Sequence, residues 1–124
     1  PGLEVFGLDI SQYALDHAPA EVKGDLRLGK AQNLPYADHE FDFVYSITTL
    51  HNLLCFDMVS ALREMERVGK GKSYLVVESF RNEEEKVNLL YWQLTCKCFF
   101  SPEEWAWFFE LAGYRGDHSF IYFE

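Results

Sequence analysis

Residues 34–46 read LPYADHEFDFVYS, and Leu50 and His51 follow shortly after them. A polar turn containing Pro35 runs directly into the apolar segment 41–46, which we interpret as a buried strand. Ser46 ends that strand, and His51 lies in the loop behind it. Because open parallel sheets bind their ligands outside the carboxyl ends of the strands, Ser46 and His51 are candidates for a binding crevice.

The rest of the chain alternates apolar segments with helical patterns, which predicts α/β layering. Further strands are predicted at residues 3–10, 25–28, 73–78 and 119–123, and a short extra strand near Tyr114 is left open. Helices are predicted between them. The expected fold class is α/β, a Rossmann-like and mostly parallel sheet with right-handed crossovers and flanking helices.

The helix boundaries follow from capping residues. Ser11, Asp57, Asn82 and Ser101 are the predicted N-caps, and Gly69 is predicted to end its helix in a left-handed conformation. Apolar positions at helical spacing predict three buried stripes. The stripes are Met58, Ala61, Leu62, Met65 and Val68; Val87, Leu90, Tyr91 and Leu94; and Trp105, Phe108, Phe109 and Ala112.

Composition excludes several classes of protein. The chain has 124 residues, of which 48% are hydrophobic, and this predicts one domain with a packed core. Its net charge of -9 and the lack of a basic cluster argue against nucleic-acid binding. No apolar run is long enough to span a bilayer. The three cysteines, Cys55, Cys96 and Cys98, form neither a disulfide framework nor a zinc motif, so a reducing, cytoplasmic location without a metal is expected.

Two further positions are candidates for ligand binding. Asp9 stands at the carboxyl end of the first predicted strand, where a carboxylate can accept hydrogen bonds from ribose hydroxyls; a capping or surface role is the alternative. The loop 29–35 follows the second strand and can line an adenine pocket with backbone groups. His51 can act as a general base because histidine titrates near neutral pH, and packing is the alternative. Asp42 lies at the other end of its strand and is predicted to be structural.

Taken together, these segments resemble the class I S-adenosylmethionine-dependent methyltransferases, of the small-molecule type related to ubiquinone and menaquinone methyltransferases. The resemblance spans nearly the whole chain and rests on the order and spacing of the motifs. The matching segments are VFGLDIS at 5–11, GKAQNLPY at 29–36, FDFVYS at 41–46, LREMERV at 62–68, YLVVE at 74–78, SPEE at 101–104 and AGY at 112–114.

The resemblance implies S-adenosylmethionine as the cofactor and methyl transfer to a small-molecule acceptor as the function. It implies that Asp9 holds the ribose, that Ile10 flanks the adenine, that Lys30 and Ala31 border the adenine edge and that Ser46 lies near the methionine moiety. The protein would mainly align a nucleophile with an activated methyl group. The aromatic segment 80–100 would then cover the substrate, with core packing as the alternative.

Two departures from the family pattern stand out. The family usually has an acidic residue where Lys30 stands, and lysine cannot accept a hydrogen bond from the adenine amine. The resemblance also implies a first strand and a glycine-rich loop upstream of Pro1, with that strand lying between those at Val5 and Phe43.

Residues 1–124 are therefore expected to form a single, partial methyltransferase-like domain. Such a chain would pair the two flanking strands directly, associate with another copy through exposed edges, or be a fragment of a longer protein. Removal of an initiator methionine and truncation both explain a start at Pro1.

Three functions are compatible with this sequence. The first is methyl transfer to a small molecule, by the complete protein. The second is a non-catalytic methyltransferase-like remnant or subunit that acts through association. The third is a fragment of a nucleotide-dependent dehydrogenase, against which the 34–46 pattern and the aromatic C-terminal half argue. The methyl acceptor, the oligomeric state and the activity of this chain alone stay open.

Overall fold

A computed structural model describes residues 3–23 and 25–124, and Pro1 lies outside this part. The elements alternate as the sequence predicts, with a short helix added after Pro19 and a 3-10 turn at Leu50–Asn52. In chain order they are β1 (Gly7–Asp9), α1 (Gln12–Asp16), α2 (Ala20–Lys23), β2 (Leu26–Leu28), β3 (Val44–Ile47), α3 (Cys55–Val68), β4 (Ser73–Ser79), α4 (Glu83–Trp92), α5 (Pro102–Ala112) and β5 (Asp117–Tyr122).

The described strands form two parallel sheets. β1 pairs with β2, with Gly7 opposite Leu26. The second sheet has the order β3-β4-β5, with Tyr45 opposite Tyr74 and Val76 opposite Ser119. The parallel α/β prediction is confirmed. Direct pairing of the strands at Val5 and Phe43 is wrong, because β1 and β3 belong to different sheets.

The core lies between one face of the three-stranded sheet and helices α3 and α5. Leu75 and Val77 are alternate residues of β4, so both point to this face, and both are fully buried. The predicted stripe of α3 is buried along its whole length, and Trp105 and Phe109 of α5 close the core. Each large apolar side chain buried here contributes about 1.5–3 kcal/mol relative to exposure.

Three of the predicted caps are confirmed. The side chains of Ser11, Asn82 and Ser101 each accept a hydrogen bond from a backbone N–H in the first turn of their helix. Ser101 and Glu104 form the reciprocal capping box. Gly113 ends α5 in the left-handed region at φ 74°, where a glycine avoids the steric cost of a Cβ.

Two predictions at the ends of α3 are wrong. The helix begins at Cys55 after Leu54, which makes no side-chain cap, so Asp57 lies within the first turn. Gly69 has an extended backbone, with φ −93° and ψ 164°, rather than a left-handed one. The chain can leave the helix in this way because the last carbonyls of α3, those of Arg67 and Val68, accept N–H groups of His39 and Phe41.

The predicted stripe of α4 is also wrong. Glu85 and Leu89 are the buried residues of this helix, whereas Val87 is 61% exposed and Tyr91 is 73% exposed. Leu94 lies beyond the helix end and is exposed. Glu85 is turned inward because it accepts hydrogen bonds from the backbone and the guanidinium of Arg81. Arg81 lies four positions before Glu85 and also pairs with Glu124, 43 positions further on, so polar contacts rather than the apolar stripe set the buried face of α4.

Several strands are shorter than or shifted from the prediction. β1 starts at Gly7 instead of residue 3, and β3 covers Val44–Ile47 instead of 41–46. Phe41 makes a single bridge with Gly69 and does not extend the ladder. β5 begins at Asp117, and Tyr114 lies in the preceding loop, where its hydroxyl donates to the Asp117 carbonyl at 2.7 Å. Among the described residues, no helix is long and apolar enough to cross a membrane.

Candidate cofactor site

Asp9 is the last residue of β1 and is exposed at the carboxyl end of that strand. Its Oδ1 accepts the Ser11 N–H at 2.9 Å, and its carbonyl accepts the Gly29 N–H at 2.9 Å. Its other carboxylate oxygen accepts no hydrogen bond from the part of the chain that the structure describes. Ile10 follows with its side chain largely exposed. A carboxylate oxygen and an apolar side chain are therefore both available to a ligand here.

The loop behind β2 lies directly against Asp9. The Gly29 contact joins the two, and the Asn33 N–H donates to the Lys30 carbonyl at 3.1 Å, which closes a tight turn. Ala31 packs against the core, whereas Lys30 is exposed. The structure thus brings Asp9, Ile10, Lys30 and Ala31 to one end of the β1–β2 sheet.

Ser46 lies near the carboxyl end of β3, in the other sheet, and is partly buried. The turn after it is unusual, because Thr48 has φ 52°, a left-handed conformation that β-branched residues rarely adopt. The Thr48 N–H donates to the Val76 carbonyl at 2.8 Å, and the hydroxyls of Thr48 and Thr49 both donate to the Ile47 carbonyl. Strain of this kind costs about 1–3 kcal/mol and is common at functional sites. No described hydrogen bond links Ser46 to Asp9.

His51 is buried with 1% exposure, and both of its ring nitrogens face Glu78. Nδ1 accepts the Glu78 backbone N–H at 3.3 Å, which places the ring proton of a neutral imidazole on Nε2. Nε2 lies 3.2 Å from Glu78 Oε2. The geometry between these two atoms is not that of a hydrogen bond, so this buried oxygen has no hydrogen bond from the described residues.

Burial dominates the ionisation of this cluster. It lowers the pKa of His51 to about 4 and raises the pKa of Glu78. Burial also raises the pKa of Cys96 to about 11 and that of Cys98 to about 12. At neutral pH the imidazole is therefore uncharged and the two thiols are protonated, which leaves them weak nucleophiles. Base catalysis by His51 stays a prediction, because in this conformation Glu78 faces both ring nitrogens.

Glu78 is the residue of this region that sequence reasoning missed as a site residue. The available signal was an ionisable side chain ending a continuous apolar strand, at the sheet edge where His51 was expected. Residues 96–98 cover the pair. The backbone N–H groups of Lys97 and Cys98 both donate to the His51 carbonyl, at 2.8 and 2.9 Å. The Cys98 Sγ donates to the Leu53 carbonyl at 3.1 Å.

Comparison with known proteins identifies the family. A family model described as a methyltransferase domain matches residues 1–77. The demethylmenaquinone methyltransferase of Thermotoga maritima is 38% identical over 78 residues, which are 62% of this chain and 33% of the relative. The enzyme of the same name from Staphylococcus carnosus is 40% identical over 74 residues, 56% of this chain and 30% of the relative. The chain thus spans about a third of the length of these curated relatives.

Two solved structures share the fold. A chain from the complex between the Haloferax volcanii Trm112 methyltransferase activator and a methyltransferase has a TM-score of 0.69 and 27% identity, covering 87% of this chain and 49% of that one. An S-adenosylmethionine-dependent methyltransferase of Thermotoga maritima, described as a possible histamine N-methyltransferase, has a TM-score of 0.61 and 32% identity, covering 86% and 53%. These matches favour a methyltransferase over a dehydrogenase fragment. The chain belongs to the class I S-adenosylmethionine-dependent methyltransferases.

Proposed function

We propose that this chain forms part of an enzyme that transfers the methyl group of S-adenosylmethionine to a small-molecule acceptor. One observation carries the proposal beyond family membership. Asp9, whose carboxylate is exposed, is joined to the loop that begins at Gly29, because the Gly29 N–H donates to the Asp9 backbone carbonyl at 2.9 Å, at the carboxyl ends of β1 and β2. In a parallel sheet, a nucleoside ligand is expected at this end of the strands.

The residues at this edge fit the adenosine half of the cofactor. The second carboxylate oxygen of Asp9 can accept from a ribose hydroxyl, and the exposed Ile10 side chain can lie against the adenine ring. Ala31 would border the adenine edge through its backbone. Lys30 supplies no acceptor for the adenine amine, so recognition of that group would fall to backbone carbonyls. We place Ser46 beside the methionine moiety.

The cofactor, when bound, supplies a methyl group already activated on a sulfonium. The work of the protein is then mainly to position the acceptor, which can lower a barrier by about 7–11 kcal/mol in favourable cases. In the described conformation His51 and Glu78 tie the turn after β3 to β4. For an acceptor that must lose a proton, we propose His51 as the base once its ring turns away from Glu78, since an imidazole titrates near neutral pH.

The acceptor side of the chain lies mostly beyond the family match, which ends at residue 77. The demethylmenaquinone named for the curated relatives therefore does not carry over directly. We propose that residues 80–100 cover an apolar or aromatic small molecule. The support is that Tyr91, Trp92 and Leu94 are exposed, while residues 97–98 already contact the His51 turn.

Calorimetric titration of S-adenosylhomocysteine tests this function. We expect binding by this chain or by a form extended upstream, and we expect Asp9→Ala to abolish it in whichever form binds. Asp42→Ala is the matched control, because Asp42 is also exposed and pairs only with Lys70 among the described residues. Absence of binding by both forms, or equal affinity of the Asp9 and Asp42 variants, would contradict the proposal.

A second candidate is a non-catalytic subunit that associates through its open strand edges. The hydrogen bonds of Val44 and Thr48 point toward β4, so the backbone groups of Tyr45 between them point the other way, where no described strand lies. The Tyr45 and Ile47 side chains are also exposed. Such an edge favours pairing with a second copy. We expect a dimer by light scattering and a monomer for Tyr45→Lys; a wild-type monomer at high concentration would exclude this candidate.

A further inference from the structure

Arg67, in the last turn of α3, uses all five of its N–H donors. Two bonds go to the carboxylate of Glu64 on the same helix, at 2.7 and 2.9 Å. The other three go to residues 34–38, at and just after the end of the loop 29–35. Their acceptors are the Leu34 carbonyl at 3.0 Å, the Tyr36 carbonyl at 2.8 Å and the Asp38 carboxylate at 2.8 Å.

Glu64 completes the arrangement. Its Oε2 also accepts the Leu34 N–H at 2.8 Å, so both backbone polar groups of Leu34 are bonded to side chains of α3. The two side chains are only partly open to solvent, with Arg67 33% and Glu64 17% exposed. The hydrogen bond from Arg67 lowers the pKa of Glu64, so the carboxylate is charged at neutral pH. Shielding and the forked geometry set this pair apart from a simple surface ion pair.

The same segment is also held by the β1–β2 sheet. Arg27 of β2 donates to the Pro35 carbonyl at 3.0 Å, and its guanidinium lies 5.0 Å from the centre of the Tyr36 ring. The Tyr36 ring packs edge-on against Phe41 at 4.8 Å, and Phe41 contacts Phe6 at 5.6 Å. Residues 34–36 therefore form a junction between the two sheets, which share no strand pairing.

We propose that Glu64 and Arg67 are positioning residues that hold the β1–β2 sheet, with Asp9, against the β3-β4-β5 sheet, with Ser46, in the arrangement that cofactor binding requires. This inference rests on the proposed function, because it assigns Asp9 and Ser46 to one ligand. The pair itself touches no residue assigned to the ligand. It acts through Leu34, only a few residues after the adenine-side positions Lys30 and Ala31.

The first test compares two glutamates of α3. Glu64 accepts hydrogen bonds from the Leu34 N–H and from the Arg67 guanidinium. Glu66 accepts the Arg115 backbone N–H at 2.7 Å, and the Arg115 guanidinium lies nearby. We expect Glu64→Ala to speed hydrogen exchange of the Leu34 amide by at least about tenfold, since a charged acceptor is lost. Exchange at Leu75 and Val77 should stay unchanged. Glu66→Ala should leave Leu34 unaffected.

The second test uses Arg67→Lys, which keeps the charge and loses the fork. We expect the nuclear Overhauser contact between the Phe6 and Phe41 rings to weaken. In whichever form binds S-adenosylhomocysteine, we expect the dissociation constant to rise about tenfold while the urea midpoint stays close to that of Glu66→Ala. If Arg67→Lys fails to fold, the ring contact and the dissociation constant are both measured on Glu64→Ala instead.

The outcomes separate this inference from the proposed function. Unchanged Leu34 exchange and an unchanged ring contact in the variants would overturn the positioning role, whether or not the cofactor binds. Uniform acceleration of exchange across α3 and β4 would also overturn it, because it would show a general stabilising role. Lack of S-adenosylhomocysteine binding by both wild-type forms would instead contradict the proposed function and, with it, the ligand that the positioning serves.

Discussion

Each of the two sheets of this molecule is stabilised in a different way. Among the residues whose burial is described, none before Leu50 is buried, whereas α3, β4 and α5 together contain most of the core. The β1–β2 sheet is shaped by short parallel pairing, by the Asp9–Gly29 bond and by the junction at residues 34–36. Local opening costs least where few apolar contacts are lost. The residues proposed to bind adenosine thus lie on the part that we expect to open most readily.

The largest expected effect on this comparison comes from truncating a side chain of the core. Trp105 and Trp107 lie on the same helix, α5, with 0% and 58% exposure. We expect Trp105→Ala to lower the free energy of unfolding by about 3–5 kcal/mol because it empties a packed volume. Trp107→Ala should cost less than about 1 kcal/mol. Urea unfolding measures both, and similar losses would show that the core is not where the structure places it.

The next largest expected effect is a pH dependence of stability, which follows from the buried imidazole of His51. The pKa of His51 is about 4 in the folded state and about 6.5 when unfolded, so the unfolded chain binds more protons between these values. The His51 contribution is complete above pH 6.5 and is lost as pH falls toward 4. We expect this effect to lower the free energy of unfolding by about 1–2 kcal/mol between pH 7 and pH 5.

The comparison with His51→Gln isolates this contribution. Glu78 acts in the opposite direction, since its raised pKa favours the folded state at low pH, and it remains in both proteins. The measurement is the free energy of unfolding in urea at pH 7 and pH 5. The same pH dependence in wild type and His51→Gln would contradict burial of the imidazole. His17→Gln is the control variant, because His17 is exposed.

Two serine caps compare the regions directly. Ser101 caps α5 in the core region and Ser11 caps α1 in the other, each through a hydrogen bond to a backbone N–H. We expect Ser101→Ala to lower global stability by about 1 kcal/mol. Ser11→Ala should change only local exchange of the α1 amides, because this region can open without unfolding the core. Equal effects on the urea midpoint would show that the chain unfolds as one unit.

The smallest expected effect concerns the adenine edge. Lys30→Glu introduces an acceptor for the adenine amine at an exposed loop position. We expect a few-fold gain in affinity for S-adenosylhomocysteine, as a single exposed hydrogen bond contributes about 0.5–1.5 kcal/mol. Titration calorimetry of the form that binds the ligand measures the change. A loss of affinity would show that Lys30 itself contacts the ligand.

Features determined by local sequence were predictable. The stripes of α3 and α5 and the N-cap at Ser101 need only neighbours a few residues away, and all are confirmed. The resemblance implied that Asp9, Lys30 and Ala31 border one ligand; the structure joins Asp9 to Gly29 by a backbone hydrogen bond, and the ligand stays a prediction. Features that depend on distant partners were missed. Gly69 is extended because residues 39–41 occupy the end of α3. Arg81, which holds Glu85, is itself fixed by Glu124 and the Tyr122 ring, about 40 positions further on. The Arg67 network joins residues about 30 positions apart, which no local pattern reveals.

The contrast among the cysteines has a practical consequence. Cys96 and Cys98 are buried thiols with raised pKa values, whereas Cys55 is exposed at the first position of α3, shortly after the His51 turn. A thiol-reactive fluorophore should therefore attach to Cys55 alone in the native protein. The unmodified chain thus offers one labelling position close to the His51 turn, from which changes around this turn can be followed by fluorescence when S-adenosylhomocysteine is added.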